Sequence, residues 1–324
     1  MDTPIAFFIF RRPEQTARVF EQIRKARPQK LFVIADGGRD EEEWKKCDAA
    51  RNVIETADWP CEVIKNYAAQ NFGCKIRVSS GLDWVFQNTE KAIILEDDTL
   101  PHESFFRFAE ELLEYYKDNP KITHISGVNF QQKNPDFRCR NSYYFSKVPQ
   151  IWGWATWRRA WKNYDVSIEN WPEIKKGRML YEIFSDPAVA DYWEYRFDEV
   201  YAKRDSKDPR ETWDSQWVFV CLFNNGLSIN PSVNLVTNIG AGSEGTQTKS
   251  EKEKRLSNIP SVSMEFPLRH PQRIEADVTA DSYSFWHIWG VNNTLKKKLI
   301  SFFKFHLPII YRILSRFYRF LLPK

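Results

Sequence analysis

Four short, mostly apolar runs divide the first hundred residues: Ile5–Phe10, Lys30–Ala35, Cys61–Lys65 and Lys91–Leu95. Between them lie stretches with helical periodicity. Glu14–Ala26 places Ala17, Phe20 and Ile23 on one face, a charged stretch covers roughly 41–56, and Cys74–Phe86 carries Ile76, Leu82 and Val85. Glu103–Lys117 then reads as a further amphipathic helix and Ile122–Gly127 as a further strand. Runs this short cannot be long helices, and near-continuous apolarity suits strands covered on both faces. Strand and helix in alternation predict an α/β fold with a mainly parallel sheet and helices on both faces.

Such sheets bind ligands outside the carboxyl ends of their strands. Three motifs fall there: Arg11-Arg12 after the first run, Asp36-Gly37-Gly38 after the second, and Glu96-Asp97-Asp98 after the fourth. Three acids ending an apolar strand are costly without a cation, and a hard divalent ion with phosphate oxygens suits them. A solvated acidic turn is the plainer alternative. Asp36 can accept from a ribose hydroxyl or a base N–H, and its glycines allow close backbone approach. Asn71-Phe72-Gly73-Cys74-Lys75 opens the third helix, with Lys75 and Arg77 able to neutralise a diphosphate. In Trp213-Asp214-Ser215-Gln216-Trp217 an acid is flanked by two rings, which suits a desolvated general base. Ile151-Trp152-Gly153-Trp154-Ala155-Thr156-Trp157 predicts an exposed or cleft-lining aromatic platform, with a core cluster as the competing reading. His270 and His287 are candidate metal ligands.

Charge narrows the partners. The net +4 is uneven, because residues 295–324 hold eight Lys or Arg and no acid, leaving 39 basic against 43 acidic residues elsewhere. A mildly acidic body argues against a nucleic-acid partner. In the tail, Leu299, Phe302, Phe303, Leu307, Ile310, Ile313, Leu314, Phe317 and Leu321 recur mostly at three- and four-residue steps among the cations. That pattern predicts a basic amphipathic helix lying on an anionic membrane surface; charges interrupt it too often for a span. Packing on the chain's own body or in a homodimer is the rival expectation. Five cysteines without CxxC spacing, and an N-terminus without a signal-peptide pattern, predict a cytoplasmic protein on the inner face of the membrane.

Taken together, residues 4–272 resemble a GT-A-fold (Rossmann-like) glycosyltransferase. Glu96-Asp97-Asp98 resembles that family's Asp-x-Asp motif, Asp36 its base-contacting residue, and Asn71-x-Gly73 the turn before its third helix. Trp-Gly-Trp-Ala-Thr-Trp-Arg at 152–158, together with Trp213-Asp214, is similar to a bacterial subgroup of hemolytic-protein-like glycosyltransferases.

The resemblance implies a mixed, mainly parallel sheet. Residues 1–130 would be its nucleotide-sugar half, 131–290 its acceptor half, and 295–324 an appended helix. It implies a UDP- or GDP-linked sugar as donor, bound through Arg11, Asp36, Asn71, Gly73, Arg77, Glu96 and Asp97. Asp98, with His270, would hold Mn²⁺ or Mg²⁺. Trp152, Gly153, Trp154 and Trp213 would meet a glycan or lipid-linked acceptor of cell-surface polysaccharide synthesis. Asp214 would take the acceptor's proton in an inverting displacement. Gln247 stands where related sequences carry a histidine, which weakens the expected metal site. The alternatives are a non-catalytic glycan- or membrane-binding protein on the same fold, and a nucleotidyltransferase. The latter is disfavoured because Phe10-Arg11-Arg12-Pro13 contains no glycine.

Overall fold

The computed structural model describes residues 1–206, 208, 210–240, 256–289 and 307. Gln247 and, apart from residue 307, the basic stretch 295–324 lie outside the described residues.

Strands β1 (Ile5–Ile9), β2 (Lys30–Ala35), β3 (Glu62–Tyr67) and β4 (Lys91–Glu96) alternate with helices α1 (Pro13–Ala26), α2 (Glu41–Ile54) and α3 (Gly73–Asn88). The ribbon strand β5 (Thr99–Pro101), helix α4 (Glu103–Tyr115) and strand β6 (Ile122–Ser126) follow. Then come β7 (Tyr143–Ser146), β8 (Trp154–Trp157), α5 (Arg158–Trp161), α6 (Trp171–Gly177), α7 (Leu180–Ile183), α8 (Pro187–Ala202) and α9 (Asp214–Phe223). Strands β9 (Leu227–Pro231) and β10 (Val236–Asn238) and helix α10 (Val278–Tyr283) complete the described elements. The alternation read from the sequence is therefore present, with ends differing by a few residues.

The main sheet has eight strands in the order β3-β2-β1-β4-β8-β6-β9-β7. Its first four strands are mutually parallel, β6 and β9 are parallel, and β8 and β7 run against their neighbours. This is a mixed, mainly parallel α/β sheet, as expected. Side chains of each strand alternate between two cores. Ile5, Phe7 and Ile9 join Val33 and Leu95 on the face covered by α1 and α4. Ala6 and Phe8 join Ile34 and Ile94 on the face covered by α3 and α9. Both faces are thus dry, which is why β1, β2 and β4 read as unbroken apolar runs.

A second, two-stranded sheet matters more for the site. β10 pairs antiparallel with β5, Asn238 opposite Thr99, and Ile239 N–H donates to the Asp98 carbonyl at 2.8 Å. This ribbon brings Gly240 against the acids that end β4.

Candidate active site

Glu96 is the last residue of β4, and Asp97 and Asp98 turn out of the sheet beside the end of β1. Asp97 is 2% exposed, and Phe10 N–H donates to its Oδ2 at 3.2 Å. The cation on these acids is Arg12, not Arg11. Its Nη2 donates to Asp97 Oδ1, and its Nη1 donates to Asp98 Oδ2 at 2.8 Å. Burial opposes the Arg12 charge, but the two carboxylates outweigh it and hold the guanidinium firmly protonated. Arg11 instead pairs with Glu43, its Nη1 at 2.5 Å. The local reason is Pro13. Proline at the start of α1 fixes the helix entry and leaves Arg12 at the N-cap, over the strand ends.

Glu96 is the acid of the cluster most strongly pushed towards its protonated form. Burial pushes its pKa up, Asp98 and Asp97 push it further, and Arg12 opposes them. Asp214, far away in sequence, adds to the same shift. Both also act on Cys74, near the start of α3. Burial raises that thiol's pKa, and Glu96, Asp214, Asp98 and Asp36 raise it further. Carboxylates from two strand ends and one helix N-terminus thus all bear electrostatically on one thiol.

Asp214 opens α9, and its Oδ1 is enclosed without a hydrogen-bond donor among the described residues. The preceding residue is held from two sides. Trp213 stacks on Trp154 (centroids 5.5 Å apart, planes 21°), and Trp154 stacks on His124 (5.0 Å, 18°). Tyr164 Oη donates to the Trp213 carbonyl at 3.0 Å. Trp154 and Trp213 are 1% and 2% exposed, so the expected aromatic platform is a buried column. Their faces cover each other and do not offer themselves to an acceptor. Trp152 is partly exposed and lies edge-on to Phe130, while the Gly153 carbonyl accepts from Gly127 N–H at 2.7 Å.

Several expected donor contacts serve the scaffold. Asp36 is buried and accepts from the backbone N–H groups of Gly37, Phe72 and Gly73 and from Asn71 Nδ2. Burial raises its pKa against those hydrogen bonds. It thereby ties the end of β2 to the start of α3. Gly37 is required because a Cβ there would fall 2.5 Å from the Gln70 carbonyl carbon. Arg77 donates to the carbonyls of Ala35 and Asn66 and to Asn66 Oδ1. The Lys75 ammonium donates to the carbonyls of Lys203, Arg204 and Ser206 at the end of α8. Neither cation is free for a diphosphate in this arrangement.

His270 is not with the acids. It stacks on Tyr115 (4.1 Å, 6°), and its Nδ1 shares a 2.8 Å hydrogen bond with Tyr143 Oη. His287 packs edge-on to Tyr283. Among the described residues no group of three or more His, Cys, Asp or Glu is gathered tightly enough to enclose a metal ion on its own. All five cysteines are free thiols. Among the described residues no helix is long and apolar enough to cross a membrane. From the sequence, Arg12 is named only as part of Arg11-Arg12, with Arg11 the expected ligand, and His124 and Tyr164 are not singled out. Only Arg12 carried a signal, the proline after it.

No family model matches the chain, and no curated protein does. Among solved structures it is similar to TarS of S. aureus (9% identity, TM-score 0.34), covering 51% of this chain and 30% of that one. It is also similar to the galactosyltransferase LgtC (11%, 0.31), covering 54% of this chain and 66% of LgtC. A third likeness is to an apo UDP-glucose pyrophosphorylase (12%, 0.31), over 50% of this chain and 79% of that one. The chain thus spans about a third of the length of TarS. At these scores the fold rests on the strand order itself.

Proposed function

We propose that this chain is a GT-A-type glycosyltransferase that moves a sugar from a nucleotide-diphosphate sugar to an acceptor hydroxyl, with inversion. What supports the reading is an acidic turn at the end of β4, where Arg12 holds Asp97 and Asp98, together with Asp214 at the start of α9, whose enclosed Oδ1 lacks a donor among the described residues. A base and a cation-seeking acid cluster together suit a displacement in which one end loses a proton and the other gains negative charge.

The acids suit a hard divalent ion such as Mn²⁺ or Mg²⁺. All are oxygen donors, and Arg12 offers one positive charge against the two carboxylates of Asp97 and Asp98. Asp98 would hold the ion, since its side chain is 14% exposed against 3% for Asp97. When bound, such an ion offsets charge on a leaving diphosphate. Asp98 has no second protein ligand assigned, because His270 is engaged elsewhere.

The remaining steps belong to the protein's own side chains. The Asp214 carboxylate, whose enclosed Oδ1 has no donor among the described residues, accepts the acceptor's hydroxyl proton. The His124–Trp154–Trp213 column and the Tyr164 hydroxyl hold that carboxylate's backbone in place. Glu96 lies on the donor side, and Trp152 is the ring left partly exposed to meet an acceptor. The acceptor is a glycan or lipid-linked sugar, and the basic stretch 295–324 brings the enzyme to an anionic membrane surface from the cytoplasmic side.

A panel of UDP- and GDP-sugars with Mn²⁺, read by release of nucleoside diphosphate, tests the reading. Turnover lost in both Asp98→Ala and Asp214→Asn is expected. Turnover that survives both substitutions sinks it.

A further inference from the structure

Arg12 occupies an asymmetric place between two acids. On the Asp97 side everything is closed. Asp97 is almost wholly buried, and both its oxygens are taken, Oδ1 by Arg12 Nη2 and Oδ2 by Phe10 N–H. On the Asp98 side the contact is at the rim. Asp98 is several times more exposed, and only its Oδ2 meets Arg12, through Nη1 at 2.8 Å. The arginine's backbone is fixed as well, since its carbonyl accepts from both Thr16 N–H and Thr16 Oγ1 at 2.8 Å.

The other cations of the region are committed. Arg11 is on Glu43, Arg77 is on the β2 and β3 carbonyls, and Lys75 is on the end of α8. Among the described residues Arg12 is the cation in ion-pair contact with Asp97 and Asp98. A guanidinium holds its partners from separate nitrogens in a planar fork, so one can be released while the other stays, whereas an ammonium serves all its partners from a single nitrogen. Releasing Nη2 would strand a buried carboxylate without its counter-charge, whereas Nη1 holds a partly solvated one. The two arms are therefore unequal in how readily they let go.

We propose that Arg12 is the resident counter-ion of the acidic motif and a diphosphate ligand in waiting. Its Nη2 arm stays on Asp97. Its Nη1 arm yields Asp98 Oδ2 to a divalent cation and turns to the negatively charged diphosphate of the donor. Arginine and metal then compete for Asp98 when no nucleotide is bound, and act together when one is. This rests on the reading of the acids as a donor site, and it adds a residue and a sequence of exchange to it.

Mn²⁺ titrations of the full chain, followed by the loss of the free-ion EPR signal, separate the two ideas. Wild type, Arg12→Lys and Arg12→Gln are compared with and without UDP or GDP, and circular dichroism checks folding. Without nucleotide, both variants are expected to bind Mn²⁺ at least fivefold more tightly than wild type. With saturating Mn²⁺, they are expected to bind UDP or GDP at least tenfold more weakly. If Arg12→Gln does not fold, Arg12→Lys decides, because lysine keeps a charge for Asp97 but has no second nitrogen to reach Asp98 or a diphosphate at the same time. Binding of Mn²⁺ by wild type with equal or weaker binding by the variants overturns the exchange and leaves the donor site standing. Binding by a variant but not by wild type supports it. Binding by none of the three, with or without nucleotide, removes the metal site and the proposal together.

Discussion

Trp217 Nε1 donates to His124 Nδ1 at 3.1 Å, and His124 Nε2 lies 2.9 Å from the Gln150 carbonyl. The two contacts fix the tautomer: Nε2 carries the proton and Nδ1 accepts. One fully buried histidine therefore clamps α9 onto β6 and forms the base of the ring column under Trp213. Burial pushes its pKa down to about 3, partly opposed by the Gln150 carbonyl. The unfolded chain takes up a proton near pH 6.5 and the native chain does not. His124 thus contributes stability above that pH that is lost as pH falls from about 6.5 towards 3. His124→Ala should destabilise the fold by roughly 2–4 kcal/mol through a cavity and an orphaned indole N–H. His124→Asn, which can still accept and donate, should cost less. Urea melts of the two variants check the ordering, and a His124→Ala cost below that of His124→Asn contradicts it.

Asp214→Asn keeps the shape of the α9 N-terminus and removes the proton acceptor. Turnover should fall about 10²–10⁴-fold with little change in donor affinity. A rise in KM for the donor with turnover intact would instead place Asp214 in donor binding. Steady-state kinetics on whichever sugar nucleotide is turned over distinguishes the two.

Gly240 is pressed against the acids. A Cβ there would lie 2.2 Å from Asp98 Oδ2 and 3.1 Å from Arg12 Nη1. The displaced atoms are those that hold the charge balance of the site, so Gly240→Ala should disturb chemistry more than folding. Mn²⁺ and nucleotide binding should weaken at least tenfold while the melting temperature moves by a few degrees. Isothermal titration and a thermal melt on the same sample read both quantities.

How far the sequence carries differs from element to element. β1, β2 and β4 were legible because both faces of each strand are dry, which leaves no polar position to break the run. β8 was not, because Trp154–Trp157 reads equally as a surface platform and as a core strand. Its return against β4 is a long-range pairing, with Ile94 opposite Trp154, that no local pattern encodes. Glu96-Asp97-Asp98 and Asp214 could be named from their neighbours in sequence. The partners of Arg11, Arg12, Arg77 and Lys75 could not. Side chains of this length reach many acceptors, and packing alone decided that Arg77 serves backbone carbonyls while Arg12 serves carboxylates.

The basic stretch 295–324 gives a separate prediction. With eight cations at about 1 kcal/mol each near an anionic surface, the full chain should float with phosphatidylserine vesicles at low salt. A chain ending at residue 291 should stay in the dense fraction, and raising the salt should release the full chain. Equal flotation of the two chains counts against the membrane role.

The last prediction concerns a second buried carboxylate, far in sequence from the acidic motif. Asp281 on α10 is 7% exposed and joins that helix to the end of β7, accepting from Ser146 Oγ at 2.5 Å and Lys147 N–H at 3.0 Å. Burial lifts its pKa to about 6, against those two hydrogen bonds and the nearby Lys147. The native chain therefore holds a proton that the unfolded chain gives up near pH 3.9. The sign follows: this group favours the fold below about pH 4, and that advantage is lost as pH rises through 6. Asp281→Asn cannot titrate, so the stability of wild type relative to the variant should fall between pH 4 and 6, by up to about 3 kcal/mol. Urea midpoints of both proteins at half-unit pH steps measure the difference. A difference that stays flat or grows with pH shows that the Ser146 and Lys147 hydrogen bonds already outweigh the cost of burying the charge.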